Sequence, residues 1–366
     1  MIKIDVSFLE GGGQIARTAL ALSTITQKPF EIYDIRKGRK DPGLKSQHLY
    51  CVKSLQELCD ANAEGAELGS LSLKYYPGKI VAKTLNIDIG TAGSITLLLQ
   101  SLLLPSMFAS KPITITITGG TDTKWSMPFD YFSNVLLPQL QRLAKTEARL
   151  LKRGYYPKGG GKAEIKINPK FKLNDFSGFG DFHNHLKQNV QPYNLAEQFN
   201  LIQIKGVSHA SMDLQNARVA ERQSHSAQAI LGKKFSVPIR ITSEYQETSS
   251  TGSGITIWAI FSKNKDDIDE NNPIRMGSDA LGEQGKKAEI VGKEAADSLI
   301  KEIESKAPVD RHLADQILPF MAIVGNSKIK VSEITSHCRT NVYAIQQFMG
   351  EIFKVYEEEK TISTNN

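Results

Sequence analysis

The feature that most limits how this 366-residue chain can fold is a pattern that occurs three times. A glycine- or charge-marked loop opens an apolar helix, and a strand of alternating polarity follows. Gly11-Gly12-Gly13-Gln14 opens the first helix, which runs to about residue 26, and Phe30-Glu31-Ile32-Tyr33 follows. Gly90-Thr91-Ala92-Gly93-Ser94 opens the second, and Ile113-Thr114-Ile115-Thr116-Ile117 follows. Val309-Asp310-Arg311-His312 opens the third, and Lys328-Ile329-Lys330-Val331 follows. Strict alternation marks a sheet with one face on the core. Another helix follows each strand, over 44–61, 131–144 and 339–349. The first two units then reach matching turns, Tyr75-Tyr76-Pro77 and Tyr155-Tyr156-Pro157. Three such units about an axis bring their marked helix starts together at one end. The expected fold is α/β (α+β), with three repeated α/β units forming a large domain.

One stretch does not fit. Residues 170–200 lack a sustained period and read as a connector. Beyond them come a strand (201–207), a helix (217–230) and strands at 237–242 and 255–261. This β-α-β-β module reads as a smaller inserted α+β domain over 182–273, leaving 1–181 and 274–366 to the large domain. A helix over 286–305 leads back to His312.

Composition sets outer limits. Hydrophobic residues at 40% and charged residues at 23% suit a globular protein, and a net charge of +6 leans mildly toward polyanionic partners. Cys51, Cys59 and Cys338 have no CxxC spacing, so a disulfide framework or zinc site is not expected. The longest apolar run, 95–107, contains Thr96, Gln100, Ser101 and Pro105 and is too short to span a bilayer. The N-terminus has strand-like alternation and no signal-peptide core. A cytoplasmic protein with no membrane partner is expected, and a homodimer is compatible with the sequence.

The candidate chemistry gathers at the marked helix starts. His312 sits at the mouth of the third helix, with Asp315 and Gln316 one turn on and on the same face. A helix N-terminus attracts phosphate, and a neutral imidazole there can attack phosphorus. Glu10 precedes three glycines, Gln14 and Arg17, a carboxylate for Mg²⁺ or Mn²⁺ beside N–H groups for phosphate. The spacing fits neither a Walker A loop nor GxGxxG. Residues 36–45 hold five cations, Arg36, Lys37, Arg39, Lys40 and Lys45, ahead of Gln47. Arg36 and Arg39 can grip phosphate oxygens bidentately. In 119–131 the Trp, Pro and Phe side chains can flank a purine base. Arg153 to Lys162 alternates cations with glycines, as an RNA-backbone track would.

As an ordered set, EGGGQIART (10–18), IRKGRKDPGLKSQH (35–48), EGAELGS (64–70), IGTAGS (89–94), GGTD (119–122), GYYPKGGG (154–161), GEQGKKAEIVG (282–292), HLADQ (312–316) and HCRTN (337–341) resemble the RNA 3′-terminal phosphate cyclase family. The resemblance covers nearly the whole chain, with the insert matching only by position. It implies that His312 attacks the α-phosphate of ATP, and that AMP then passes to an RNA 3′-phosphate. The vicinal 2′-hydroxyl closes a 2′,3′-cyclic phosphate. It further implies that Gln100 and Lys287, Ala288, Glu289, Ile290 and Val291 bind ATP, and that Glu10 holds the metal. Arg17, Arg36, Arg39 and Gln47 match positions around the phosphates and the RNA end. Val6 and Leu9 depart from the glycines usual before EGGGQ. A cyclase-like ribosome-assembly factor without catalysis is the alternative, but it would lack the histidine. An enolpyruvyl transferase would share the repeated architecture without HLADQ.

Overall fold

The computed structural model describes residues 1–6, 12–37, 41–264 and 269–365. The first unit comprises β1 (Ile2–Asp5), α1 (Gly12–Thr26), β2 (Phe30–Tyr33), α2 (Ser46–Cys59), β3 (Asn62–Glu64) and β4 (Leu73–Tyr76), in the sheet order β1-β2-β4-β3. The second comprises β5 (Leu85–Asp88), α3 (Ile95–Ser106) and β6 (Ile113–Gly119). It continues through α4 (Phe129–Tyr131), a π turn (Phe132–Leu136) and α5 (Leu137–Leu140) into β7 (Ala144–Lys152) and β8 (Gly161–Pro169). Its order, β5-β6-β8-β7, is the same.

The third unit is split. It opens with α6 (Phe179–Asn189) and β9 (Asn194–Leu195). A four-stranded module follows: β10 (Asn200–Ser211), α7 (Val219–Lys234), β11 (Ile239–Gln246), β12 (Ser253–Ser262), β13 (Ile274–Leu281) and α8 (Ala288–Glu304), in the order β11-β10-β12-β13. The third unit then resumes with α9 (Arg311–Val324), β14 (Lys328–Lys330), α10 (Ser336–Met349), β15 (Phe353–Tyr356) and β16 (Thr361–Thr364). Read from its first strand, its sheet runs β9-β14-β16-β15, the same order again. In every unit the first two strands are parallel and the other pairings antiparallel. A parallel pair needs a crossover, and the marked helices α1, α3 and α9 supply it.

Two local readings differ from the sequence expectation. The connector at 170–200 contains α6 and β9, because Phe179, Phe182 and Leu186 fall on one helical face and Phe182 and Leu186 are buried. Strand β13 and helix α8, which follow residue 273, lie with β10–β12 and α7. Ile274, Met276 and Ala280 fill that sheet's core.

Helix α1 is the hub of the large layer. It packs against α2, α3 and α10. Its buried Ala16, Ala19 and Ala21 keep side chains short where neighbours cross, while Ile15, Leu20, Leu22 and Ile25 fill the spaces between them. Each large apolar side chain so buried contributes roughly 1.5–3 kcal/mol. Cys51, Cys59 and Cys338 are buried free thiols.

A buried ionic cluster joins the second unit to the inserted sheet. Arg153, 1% exposed, donates to Asp122 at 3.1 Å, Asp130 at 2.7 Å and Glu244 of β11 at 2.7 Å. His209 of β10 holds Tyr155 through a 2.8 Å bond, and its Nε2 lies 3.3 Å from Asp122. Asp122, Asp130 and His209 lie close together, with Arg153 shared between the two carboxylates and His209 paired with Asp122. Burial alone would raise the Asp122 carboxyl, but the His209 and Arg153 charges outweigh it and hold it below the usual range. Removing one partner of a buried pair strands the others. Arg153→Met should therefore lower stability by about 3–5 kcal/mol in urea unfolding. A loss under 1 kcal/mol would show that the cluster does not hold the two layers together.

Candidate active site

The site begins with one carboxylate. Asp310, fully buried, is the N-cap of α9, and its Oδ1 accepts from the backbone N–H groups of His312 and Leu313, both at 2.9 Å. The same oxygen accepts the Tyr131 hydroxyl at 2.7 Å, and Oδ2 accepts Gly277 N–H of β13 at 2.8 Å. Burial raises the Asp310 carboxyl, while the His312 charge and these hydrogen bonds pull it back. Gly277 is required here, since a Cβ would lie 2.4 Å from the Tyr131 ring. The cap leaves His312 as an exposed side chain in the first turn of α9.

From that turn a chain of hydrogen bonds crosses all three units. Gln14 of α1 donates to Asp315 at 3.0 Å and accepts from His337 of α10 at 2.5 Å. Arg17 donates to Gln100 of α3 at 2.6 Å, and Gln100 donates to Gln316 of α9 at 2.7 Å. Asn341 ties α10 to the Asp315 carbonyl at 2.7 Å and accepts from Thr18 at 2.7 Å. The marked helix starts therefore meet at one end. Burial lowers the Arg17 guanidinium from its ordinary value, against the Cys51 and Asp315 charges. It raises the Asp315 carboxyl, opposed by the bond from Gln316 and the charges of His337 and His312.

His312, Arg17, Gln100, Asp279 and Trp125 line a cleft of about 430 Å³. Leu97 and Trp125 are shared with a second cleft of about 700 Å³, onto which Gln47, Ser94, Tyr155 and Tyr156 face. Residues 251–253, with Gly282 and Gln284, connect that cleft to a third of about 780 Å³ lined by Lys287, Ala288 and Val291. Each is of ligand size.

The sequence-chosen residues fall into separate groups. Arg17, Gln100 and His312 share the first cleft, and Gln47, which donates to the Ser94 carbonyl at 3.4 Å, lines the second. Lys287 is the N-cap position of α8 in the third, with Glu289 holding Arg222 at 2.7 and 2.9 Å and Ile290 exposed. Arg36 takes a left-handed conformation, φ 54°, and its buried Nε has no hydrogen-bond partner among the described residues. Glu10 and Arg39 lie outside the described residues.

The field around His48 is positive. Burial pushes His48 down to about 3, and the Arg17, Arg36 and Lys45 charges push in the same direction. Gly13 makes room for this group, because a Cβ there would sit 2.5 Å from His48 Nε2 and 3.1 Å from Arg17 Nη1. A neutral imidazole among three cations is a setting for an anion.

Sequence reasoning read Asp310 only as part of a marked helix start, and missed Tyr131 and Asp279 as site residues. An Asp directly before a helix is a cap signal, so Asp310 was readable. Tyr131 and Asp279 reach the site from distant strand and helix ends, which no local pattern reveals.

A family model for RNA 3′-terminal phosphate cyclase matches residues 8–355. The chain belongs to the RNA 3′-terminal phosphate cyclase family. The RNA 3′-terminal phosphate cyclase of Pyrococcus furiosus is 44% identical over 97% of this chain and 95% of its own length. That of Archaeoglobus fulgidus is 41% identical over 99% of both. That of Methanopyrus kandleri is 39% identical over 95% of this chain and 93% of its own.

Asp279 carries a pH signature. Burial raises its carboxyl to about 6; the His312 and His209 charges oppose this, while Asp122 and Asp310 reinforce it. The carboxyl titrates near 3.9 when unfolded, so the native state binds the extra proton between the two values. The stability of the protonated form is full below about pH 4 and lost as pH rises through 6. Asp279→Asn should flatten that part of the stability profile and raise stability at pH 7 by about 3 kcal/mol. Parallel profiles for parent and variant would contradict this.

Proposed function

We propose that the chain converts an RNA 3′-terminal phosphate to a 2′,3′-cyclic phosphodiester using ATP, through a histidine–AMP intermediate. The observation that carries this reading is His312, an exposed imidazole at the start of α9, in one cleft with Arg17 and Gln100 from the other two units.

A lone-pair nitrogen of His312 attacks the α-phosphorus of ATP, the N–P bond forms, and pyrophosphate leaves. The N-terminus of α9 and the Arg17, Arg36 and Lys45 field favour the phosphates' negative charge. Asp279 faces the same cleft, and its carboxylate supports the positive charge that the imidazole acquires. An oxygen of the RNA 3′-phosphate then attacks the histidine-bound phosphorus, and the imidazole departs. The vicinal 2′-oxygen attacks the activated 3′-phosphate, loses its proton and expels AMP. That last step is intramolecular, so little orientational entropy remains to be lost.

We assign Gln100 and residues 287–291 to ATP, and Arg17, Arg36, Arg39 and Gln47 to the phosphates and the RNA end. Buried Arg36 Nε, without a partner among the described residues, fits a phosphate oxygen. The oxygen donors of the first cleft, Asp279 and Asp315, suit a hard cation. We assign Glu10 as the ligand of Mg²⁺ or Mn²⁺, which supplies charge neutralisation at the triphosphate. No helix among the described residues is long and apolar enough to cross a membrane. The reading includes a cytoplasmic location, allows a homodimer, and divides the chain into the repeats and a smaller inserted domain. A non-catalytic ribosome-assembly factor is not favoured, because the matched relatives are cyclases by name.

His312→Ala should abolish ATP-dependent cyclisation yet still close RNA supplied already adenylated on its 3′-phosphate. Cyclisation from ATP at the parent rate would remove His312 from the mechanism. Arg36→Ala should slow cyclisation roughly 10- to 100-fold, as loss of a charge-assisted bond does, with partial rescue by Lys. An unchanged rate would mean that Arg36 does not touch phosphate.

A further inference from the structure

The loop between β6 and α4 presents an indole that the fold does not use. Trp125 is 95% exposed, the most exposed of the large apolar side chains among the described residues, and its backbone lies in the left-handed region at φ 60°. A bulky residue with positive φ is strained, and such strain clusters at ligand-contacting sites. The turn is braced from both sides by the Thr123 and Ser126 hydroxyls, 2.8 Å apart, and by the Ser126 hydroxyl donating to the Thr123 carbonyl at 2.9 Å. Lys124 pairs with Glu283 at 3.1 Å, which ties the loop to the segment after β13. The loop is thus held in place with its aromatic ring in water.

Its position is specific. Trp125 lines both the His312 cleft and the adjoining cleft of about 700 Å³. A second aromatic of that cleft, Tyr156, is 77% exposed. Gln47, assigned to the RNA end, lines this cleft, whereas residues 287–291, assigned to ATP, do not. Exposed aromatic faces are the usual stacking platform for unpaired bases, which is sequence-tolerant because every base has a π face.

We infer that the cleft bounded by Trp125 and Tyr156 seats the terminal bases of single-stranded RNA, with Trp125 stacking on the base that carries the 3′-phosphate. The assignment rests on the proposed cyclase reaction for the direction of the strand. It gives the enzyme a grip on RNA that needs no base-edge contact, so the terminal base can vary.

The chain has two tryptophans, and Trp258 is buried at 6% exposure, which makes Trp125 the solvent-facing fluorophore. A 3′-phosphorylated RNA trinucleotide, titrated without ATP, should quench the exposed-tryptophan emission of the parent. In Trp125→Phe that response should vanish. Trp125→Ala should raise KM for the trinucleotide about tenfold, and Trp125→Phe should restore most of it, because Phe keeps an aromatic face. Quenching by ATP with none by RNA, or an unchanged KM in Trp125→Ala, would overturn the assignment. Quenching by RNA in a protein that shows no ATP-dependent cyclisation would leave the platform standing and remove the cyclase reading instead.

Discussion

The Asp310 carboxylate accepts four hydrogen bonds, from the His312 and Leu313 N–H groups, the Tyr131 hydroxyl and Gly277 N–H. Those donors belong to the third unit, the second unit and the inserted sheet. One buried carboxylate therefore fixes how three parts of the molecule meet, and it does so two residues from the exposed imidazole. Losing the carboxylate would leave buried donors unpaired, at a cost of about 1–3 kcal/mol for each group. The imidazole can be exposed and still well placed because its backbone, not its side chain, is anchored.

Around this anchor the three units contribute unequal chemistry from equivalent positions. Helix α1 brings Gln14 and Arg17, α3 brings Gln100, and α9 brings His312, Asp315 and Gln316. The amide side chains of Gln14, Gln100 and Gln316 carry the hydrogen bonding between helices, so the cations need not be neutralised by close carboxylates. Arg36 keeps a buried nitrogen without a partner among the described residues, and His48 stays neutral amid positive charge. Within each unit the sheet order is the same, while the residues at the helix starts have diverged into imidazole, cation and amide.

The repeats were legible because each unit carries its own period and its own glycine-marked start, both local properties of sequence. His312 was legible for the same reason, since Asp310 before it and Asp315 and Gln316 after it mark a helix mouth. Helix α6 was missed because its face rests on only three apolar residues among Asn, Asp, Gly and His. The edges of the inserted sheet were misplaced because β13 alternates like any half-buried strand, and nothing local states which sheet it joins. Asp279, Tyr131 and the Arg153 cluster were invisible as a set. Their partners are far away in sequence, and their meaning lies in burial that only the fold supplies. Glu10 and Arg39, read from sequence as metal and phosphate contacts, lie outside the described residues.

The central claim is that the imidazole at the start of α9 is the nucleophile toward ATP. The most direct measurement is to incubate the protein with ATP labelled at the α-phosphate, without RNA, then digest it and find the labelled peptide and the bond that holds the label. The account predicts adenylate on the peptide containing His312, through a nitrogen–phosphorus bond that acid breaks and hydroxylamine leaves intact. Label elsewhere in the chain, or a bond that hydroxylamine cleaves as it would an acyl phosphate, would contradict it.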